Sequence, residues 1–361
     1  MMTRIKHLYI HVPFCNSICS YCDFCHRIYN QELVNKWLIT IEKEINEKCK
    51  DDYETIYIGG GTPTSLSNEQ LDKLLSLIKP YSDQALEYTI EVNPESINID
   101  KINIFKKYGI NRISMGVQTS NKEELQLINR KHSFEDVREK IKLLKENGLN
   151  NISIDLMYSL PNQTIESLNK TIDDFISLDI PHVSLYSLTI EENSVFGKKG
   201  YKQLDEDIEA DMYELIVSRL QESGYIHYEV SNFSRPGYES KHNIGYWDYE
   251  DFLGISMSSS SKVEDKRWTI TRNFDDYFND YNCKDEYLLL SKEDMMFENI
   301  MMSLRTNKGL NIIDFNKKYN CDLLNEYRDA IKNDNIYIEN DYLKVKNLAI
   351  LNNTLINFIK N

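Results

Sequence analysis

Residues 8–22 read LYIHVPFCNSICSYC, so that Cys15, Cys19 and Cys22 directly follow a short apolar strand. Core packing alone would not explain three cysteines in the loop that follows the first strand. Spacings of four and three residues let one loop turn all three sulfurs toward a single compact object. Because thiolates are soft ligands, the candidates for that object are zinc and an iron–sulfur cluster.

The number of cysteines in this loop separates the two candidates. A structural zinc site needs four protein ligands, whereas a cubane cluster that is held by three cysteines keeps one iron open. The count of three favours the open cluster, although Cys25 or His26 offers a fourth zinc ligand and keeps that alternative open. Residues 22–26 also match the C-x-x-C-H pattern of covalent heme attachment, which we reject because Cys22 belongs to the cluster and we expect no export signal.

Composition limits the classes of partner and the number of domains. A length of 361 residues exceeds what one hydrophobic core usually holds and predicts a large domain with a smaller one. The net charge of -15 argues against broad affinity for nucleic acid or anionic membranes, since phosphate binding needs clustered Lys and Arg. We see no apolar run long enough to span a bilayer and no signal peptide, and therefore expect a cytoplasmic protein.

A unit of strand, loop and amphipathic helix repeats from residue 7 to about residue 190. The predicted strands cover residues 8–12, 55–58, 88–92, 112–117, 152–157 and 182–188, and the predicted helices cover residues 31–48, 68–78, 99–107, 134–146 and 165–178. Such alternation implies right-handed crossovers and a parallel sheet. Polar residues follow nearly every strand, which fits an α/β fold with a partial (β/α)6 barrel whose site lies at the carboxyl ends of the strands.

The pattern changes in the last third of the chain. A helix over residues 206–223 and a strand over 225–230 complete the barrel region, and an aromatic, loop-rich segment follows. From about residue 291 the pattern predicts helices at 293–304, 312–318 and 323–332 and strands at 336–338 and 343–345. We therefore predict a barrel over 1–235, a connecting segment over 236–290 and an α+β, winged-helix-like domain over 291–361. This last domain has no basic face, which argues against DNA binding.

The motif Cys-x3-Cys-x2-Cys, preceded by Tyr9-Ile-His-Val-Pro-Phe14, resembles that of the radical S-adenosylmethionine (SAM) enzymes. More narrowly, it is similar to the branch that holds oxygen-independent coproporphyrinogen III oxidase and the HemW-type heme chaperones. The resemblance implies a six-unit partial barrel, a [4Fe-4S] cluster on Cys15, Cys19 and Cys22, and SAM on the open iron. It also implies that electron transfer from the cluster yields a 5'-deoxyadenosyl radical, so that the cofactors carry the chemistry.

The resemblance also places SAM contacts on residues of this chain. Three consecutive glycines, 59–61, let backbone approach a ligand after the second strand. Polar residues end other strands, and each of them could simply cap the barrel rim. SAM needs a cation for its carboxylate and acceptors for its amino and hydroxyl groups. The contacts implied by the family are Tyr9, Tyr21, Gly60, Gly61, Thr62, Glu91, Gln118, Arg130 and Asp155; we predict no catalytic side chain.

A downstream stretch, His242-Asn-Ile-Gly-Tyr246-Trp247, resembles the His-Asn-x-x-Tyr-Trp segment that the HemW branch links to heme handling. A neutral imidazole is a competent axial ligand of heme iron, and Tyr246 and Trp247 could cover a flat macrocycle. The alternative interpretation is that His242 and Trp247 pin a loop over the barrel mouth.

Two functions compete within this branch. The oxidase would decarboxylate two propionates of a porphyrinogen, and such enzymes have a long N-terminal extension and a fourth cysteine where this chain has Phe24. Both differences favour a HemW-type chaperone that binds heme and passes it to acceptor hemoproteins. Residues 256–261, Ser-Met-Ser-Ser-Ser-Ser, depart from the Gly/Ala-rich stretch with a His that the family usually has, and Ser159 stands where a Gly is usual.

Further expectations concern partners. We expect an electron donor such as a flavodoxin or ferredoxin, and either a monomer or a cluster-dependent homodimer. Peripheral contact with a membrane stays open. A third hypothesis is a non-catalytic binding module whose cluster only gates dimerisation or heme release.

Overall fold

The computed structural model of the chain describes residues 4–359. Its strands are β1 His7–Val12, β2 Phe14–Cys15, β3 Arg27–Ile28, β4 Thr55–Gly60, β5 Glu87–Val92, β6 Arg112–Gln118, β7 Ile152–Tyr158, β8 His182–Ser187, β9 Ile226–Glu229, β10 Asn232–Ser234, β11 Phe252–Ile255, β12 Ser260–Val263, β13 Lys266–Ile270, β14 Lys284–Leu289, β15 Leu310–Asn311, β16 Ile336–Glu339 and β17 Tyr342–Val345. Its α-helices are α1 Gln31–Lys48, α2 Asn68–Ile78, α3 Ile99–Tyr108, α4 Lys122–Leu127, α5 Phe134–Glu146, α6 Ile165–Ile176, α7 Val195–Lys198, α8 Glu206–Glu222, α9 Lys241–Trp247, α10 Phe274–Asn279, α11 Lys292–Ser303, α12 Ile312–Tyr319, α13 Leu323–Glu326 and α14 Leu351–Leu355.

The main sheet has the strand order β14-β13-β12-β11-β1-β4-β5-β6-β7-β8-β10-β9. Six of these strands, β1, β4, β5, β6, β7 and β8, are parallel neighbours, and helices connect each one to the next. The predicted α/β fold with a partial barrel of six units is therefore confirmed. Antiparallel strands stand at both edges of the sheet, so the barrel does not close.

Strand β1 shows how side chains alternate between the two faces of the sheet. Leu8, Ile10 and Val12 are fully buried in the core that the helices cover. His7 and His11 are also buried but form polar contacts on the inner face of the barrel. The barrel interior is therefore polar, whereas the layer between strands and helices is apolar; each large side chain in that layer contributes about 1.5–3 kcal/mol by its burial.

Local signals explain why several helices begin where the sequence predicts. Ser67, Ser133 and Thr164 cap α2, α5 and α6, and in each case the third helical residue returns a bond to complete a capping box. Helix α3 ends at Gly109 in the left-handed conformation (φ 82°), where glycine has no steric cost.

Residues 236–290 join the sheet and are more than a connecting segment. Strand β11 pairs in parallel with β1, from His7 opposite Phe252 to Ile10 opposite Ile255, and β12, β13 and β14 extend the sheet by antiparallel pairing. The pairing partner of β11 lies more than 240 positions earlier in the chain, so no local pattern announces it. The segment is part of the barrel wall.

The last part of the chain has its own hydrophobic cluster, which includes Ile300, Phe315, Leu343 and Phe358. Strands β15, β17 and β16 form a separate antiparallel sheet in that order. The predicted helix over 323–332 was wrong, because α13 ends at Glu326 and a single 3-10 turn, Ala330–Lys332, follows. Among residues 4–359 we find no helix that combines the length and apolarity needed to cross a bilayer.

Candidate cofactor site

A cavity of about 400 Å³ lies at the carboxyl ends of the parallel strands. This is the position that the barrel topology predicts, because the loops after all six strands converge there. Most of the predicted site residues line it, together with neighbours that the sequence did not single out. The predicted residues among the lining are Cys15, Cys19, Tyr21, Cys22, Gly60, Gly61, Thr62, Glu91, Gln118, Arg130 and Asp155.

The cysteine loop is attached to the barrel by backbone hydrogen bonds at its middle. The amide of Ser20 donates to the carbonyl of Ile128 (3.0 Å), and the amide of Phe196 donates to the carbonyl of Ser20 (2.9 Å). Cys15 is buried and its sulfur lies 3.6 Å from the Thr62 hydroxyl. These contacts within the protein thus fix the loop conformation in which the three cysteines line one cavity.

The donor set fits an iron–sulfur cubane. Within residues 4–359, no three His, Cys, Asp or Glu side chains are grouped to hold one metal ion. A cubane does not require such a group, because each cysteine binds a different iron and needs only to face the same cavity. Burial raises the pKa of Cys15 to about 12 and that of Cys22 to about 11, so that loading with metal would displace the thiol protons.

Cys25 is not part of this set. Its thiol donates to the carbonyl of Arg272 (3.3 Å), and the residue is absent from the cavity lining. His26 does line the cavity, with Nδ1 2.6 Å from the carbonyl oxygen of Phe24 and 3.8 Å from the Cys22 sulfur. The structure therefore does not bring Cys25 to the three thiols as a fourth ligand.

Arg130 places in the cavity a guanidinium group that lacks one of its hydrogen-bond partners. Its Nη1 donates to Asn93 Oδ1 and its Nη2 donates to the Tyr21 hydroxyl, both at 2.8 Å. Nε is buried and has no partner. Both partners are neutral, and Arg130 forms no ion pair among residues 4–359, although the charge of Glu95 acts on it from a greater distance. A carboxylate ligand would complete this site with charge-assisted hydrogen bonds.

Two carboxyl groups, those of Glu91 and Asp155, line the same cavity. Glu91 accepts from the Tyr57 hydroxyl (2.8 Å) and from the amide of Gly60 (3.0 Å). Burial raises the pKa of Glu91 to about 7 and that of Asp155 to about 6, the latter in spite of nearby arginine charges. Burial thus favours the protonated forms of both groups, and a cationic ligand would favour their ionised forms.

The backbone at the strand ends is unusual at two positions. Gly60 has φ 111°, and a Cβ there would lie 2.6 Å from the His11 ring. Glycine is thus needed for packing against β1 as well as for the approach of a ligand. Gln118 ends β6 with φ 75°, a left-handed conformation that costs a non-glycine residue of order 1–3 kcal/mol. Such strain, at a side chain that lines the cavity, is typical of a binding site.

Asn93 is a cavity residue that the sequence analysis missed. Its amide nitrogen donates to Thr62 Oγ1 (3.3 Å) while its oxygen accepts from Arg130, so it connects two predicted contacts. It lies two positions after Glu91, and the period of two along a strand places both on the inner face. That alternation is the signal by which it could have been found. Tyr9, by contrast, was predicted to contact SAM but does not line the cavity. Its hydroxyl contacts His11 Nδ1 (3.0 Å) instead.

The segment that contains His242 lies at the other end of the barrel, and its predicted place over the barrel mouth is corrected. His242 Nδ1 is 2.7 Å from the hydroxyl of Thr55, the first residue of β4, and Nε2 is 2.7 Å from the Tyr246 hydroxyl. The side chain is 1% exposed. Helix α9 therefore closes the amino-terminal end of the strands, because its backbone amides bond to Glu87 at the start of β5. Both ring nitrogens of His242 are engaged there.

Comparison with known proteins agrees with this architecture. Residues 9–175 match the family model of the radical SAM superfamily, and residues 290–350 match that of the HemN C-terminal domain. The fold is similar to that of coproporphyrinogen III oxidase (HemN) from Escherichia coli, with a TM-score of 0.86 and 23% identity over 98% of this chain and 90% of that chain.

Curated relatives are closer in sequence. The heme chaperone HemW of Lactococcus lactis subsp. lactis (strain IL1403) is 37% identical over 92% of this chain and 89% of its own length. The heme chaperone HemW of Bacillus subtilis (strain 168) is 37% identical over 91% of this chain and 90% of its own length. The cysteine loop, the partial barrel and these near-full-length similarities lead to one conclusion: the chain belongs to the radical SAM superfamily and, within it, to the HemW heme chaperone family.

Proposed function

We propose that this chain binds heme and transfers it to acceptor hemoproteins, as a [4Fe-4S] protein that also binds SAM. The observation that carries the proposal is the 37% identity over nine-tenths of the chain to proteins named heme chaperone HemW. The three cysteines and Arg130 on one cavity support the cofactor part of it, since membership of the superfamily implies the cluster and SAM.

The cavity residues have distinct roles in this proposal. Cys15, Cys19 and Cys22 would hold the cluster. Arg130 would bind the SAM carboxylate, and the hydroxyl of Tyr21 positions it. The acceptors for the amino and hydroxyl groups would be Glu91, Asp155 and Gln118, with backbone contacts from Gly60, Gly61 and Thr62. When bound, the cluster and SAM supply one-electron chemistry, and the chain orients them and limits access of water.

The proposal extends to partners and location. An electron donor such as a flavodoxin or ferredoxin would act in the cytoplasm, on a monomer or a cluster-dependent homodimer. Peripheral membrane contact stays a prediction. Axial ligation of heme by His242 also stays a prediction, and it would require α9 to open, since both imidazole nitrogens have partners.

Anaerobic reconstitution with iron and sulfide tests the proposal. We expect about four irons per chain, a hemin complex by optical titration and transfer of hemin to an apo-hemoprotein. The variant in which Cys15, Cys19 and Cys22 are all serine should lose the iron. Cys283→Ser should retain it, because Cys283 lies outside the cavity lining.

Four results would contradict the proposal. Zinc in place of iron, or full iron content in the triple serine variant, would remove the cluster assignment. Failure of hemin to bind would remove the chaperone assignment. Decarboxylation of coproporphyrinogen, measured together with 5'-deoxyadenosine, would assign the oxidase activity instead.

A further inference from the structure

A second cavity, of about 980 Å³, lies beside the open edge of the barrel. One wall comes mainly from the ends of β7 and β8 and the first half of α8, and the other comes from Arg305 and residues 348–353. Its volume is at the upper end of the range of about 300–1,000 Å³ that is usual for small-molecule sites. Polar side chains and tyrosines make up more than half of its lining, which suits a polar or charged ligand.

Two carboxylates, those of Glu206 and Glu209, line the barrel side of this cavity. Glu209 accepts hydrogen bonds from the hydroxyls of Ser187 (2.6 Å) and Ser159 (3.4 Å), which are neutral. Neither carboxylate forms an ion pair with any residue between positions 4 and 359. A cation in the cavity would therefore give these carboxylates the charged partner that they lack.

Three tyrosines, Tyr158, Tyr186 and Tyr213, line the same side of the cavity. The ring centroids of Tyr158 and Tyr213 are 6.4 Å apart, and Tyr186 is 46% exposed. A cation is attracted to an aromatic face from within about 6 Å of the ring centroid, so one that lies beside the first pair can interact with both rings. Ammonium groups are recognised in this way by clusters of aromatic side chains.

The charges near the tyrosines favour a cation on this side of the cavity. Burial, together with the charge of Glu209, raises the pKa of Tyr158 to about 12, and burial with the charge of Glu229 raises that of Tyr213 to about 12. Arg305 is the one basic residue in the described lining; it lies on the opposite wall, and the charge of Glu229 acts on it as well. Negative charge therefore predominates at the barrel side.

We propose that this cavity binds an alkylammonium cation, with its charge at Glu209 and beside the rings of Tyr158 and Tyr213. The part of the cavity towards Asn352 and Asn353 has room for the polar remainder of an extended ligand. A linear polyamine and a lysine side chain on another protein share this chemistry. The site requires neither heme nor the cluster, so the inference goes beyond the proposed function.

Isothermal titration of the reconstituted full-length protein with spermidine tests the site. Saturating SAM is present, because Tyr186 and Ser187 line both cavities and the carboxyl groups of the cofactor cavity could otherwise take the cation. We expect a single spermidine per chain and an affinity that Glu209→Gln lowers by about tenfold. Glu214→Gln is the matched control, since it removes the same charge from the same helix at an exposed position outside the cavity lining.

The aromatic contribution is tested at Tyr213. Tyr213→Leu should lower the affinity for spermidine by about fivefold, whereas Tyr213→Phe keeps the ring and should bind like the wild type. Thermal melting of each variant distinguishes a lost contact from a failure to fold.

A second titration distinguishes the two sources of the ammonium group. The probe is a tripeptide with a central lysine and blocked ends, and the same peptide with an acetylated lysine is its control. Tighter binding of spermidine assigns the cavity to a polyamine, whereas tighter binding of the lysine peptide assigns it to a segment of another protein.

Two outcomes would overturn the inference. Equal weakening of spermidine binding by Glu209→Gln and Glu214→Gln would show only the general attraction of an acidic chain for a polycation. Absence of binding of both spermidine and the lysine peptide would leave the cavity without this ligand. Neither outcome affects the proposed function, because hemin binding is measured separately.

Discussion

The two ends of the parallel strands present similar polar side chains in very different states. At the amino-terminal end, His7 lies between Thr55 and Glu250, at 2.7 Å from each. Glu87 accepts the amides of Lys241 (2.8 Å) and His242 (3.1 Å), at the first turn of α9. In each case a buried polar group meets a partner within the chain.

The carboxyl-terminal end is incompletely satisfied. Arg130 leaves a buried Nε without a partner, Glu91 and Asp155 have raised pKa values, and Gln118 has a strained backbone. A buried polar group without a partner costs free energy that a ligand can recover. The amino-terminal end also has buried nitrogens without a partner, Arg112 Nε at the start of β6 and Trp247 Nε1 in α9. The contrast therefore rests on the strained backbone of Gln118 and on the two carboxyl groups with raised pKa values, which indicate that the carboxyl-terminal end is the ligand side.

The largest effect is expected from a substitution at the amino-terminal end of the strands. Glu87→Ala leaves two backbone amides of α9 buried and unsatisfied, and should lower the free energy of unfolding by about 3 kcal/mol. SAM affinity of the reconstituted protein should stay unchanged, because Glu87 lies at the opposite end of β5. Denaturant unfolding and SAM binding check both parts, with the exposed Glu214→Ala as control. Loss of SAM affinity without loss of stability would contradict the comparison.

Arg130→Ala tests the open end in the same way. It should reduce SAM affinity on the order of 100-fold, because the carboxylate of SAM loses its cation, while stability changes little. Arg138→Ala, on the surface of α5, should leave SAM affinity intact. Equilibrium dialysis with the reconstituted protein measures both variants. An Arg130 variant that binds SAM normally would show that this end is not the SAM site.

Glu91→Gln tests the comparison of the two ends through the pH dependence of stability. The folded pKa of about 7 exceeds the ordinary value of a glutamate, so the stabilisation linked to its proton is present at low pH and is lost as pH rises through 7. The neutral variant avoids that loss and should gain on the order of 2 kcal/mol relative to the wild type between pH 5 and pH 8. SAM affinity should fall at every pH.

Glu229→Gln is the control for this effect. Burial also raises the pKa of Glu229 to about 7, but Glu229 is on β9 and outside the cofactor cavity. Its thermal melting should show the same pH-dependent gain without a change in SAM affinity. If Glu91→Gln gave no gain at pH 8, the carboxyl group would already be satisfied in the folded protein.

The smallest effect concerns a strained residue that faces away from the cavity. Ser256 follows β11 with φ 82°, and its hydroxyl accepts from Trp37 Nε1 (2.9 Å). Ser256→Ala loses this bond and keeps the strain, whereas Ser256→Gly loses the bond and relieves the strain. The glycine variant should therefore be more stable than the alanine variant by about 1 kcal/mol. Equal stabilities would mean that the backbone at this position is not strained.

Much of the barrel could be predicted because its signals are local. Each unit has a strand rich in β-branched residues and a helix that begins at a capping residue such as Ser67 or Thr164. A glycine or a polar residue marks the end of an element. The convergence of Cys15, Glu91 and Asp155 followed from topology alone, since the carboxyl ends of parallel strands meet at one edge.

The parts that could not be predicted depend on distant partners. The pairing of β11 with β1 and the contact of His242 with Thr55 depend on where the chain returns after the barrel. Local sequence patterns do not indicate that position. The same holds for a cavity of about 980 Å³ at the open edge of the barrel, whose walls include Tyr158 and Ile350, nearly 200 positions apart. Tyr9 shows a further limit, because the family motif locates its strand but not the contact of its hydroxyl.

Tyr186 and Ser187 line both the cofactor cavity and a larger cavity, of about 980 Å³, at the open edge of the barrel, and this common wall has a thermodynamic consequence. If occupation of one cavity shifts these two side chains so that the affinity of the other changes, a closed cycle requires the two effects to be equal in size. Loading of the sulfonium nucleotide would then alter the affinity of the larger cavity for a ligand by the same factor by which that ligand alters nucleotide binding. A two-residue partition is sufficient for such reciprocity, without any movement of one domain against the other.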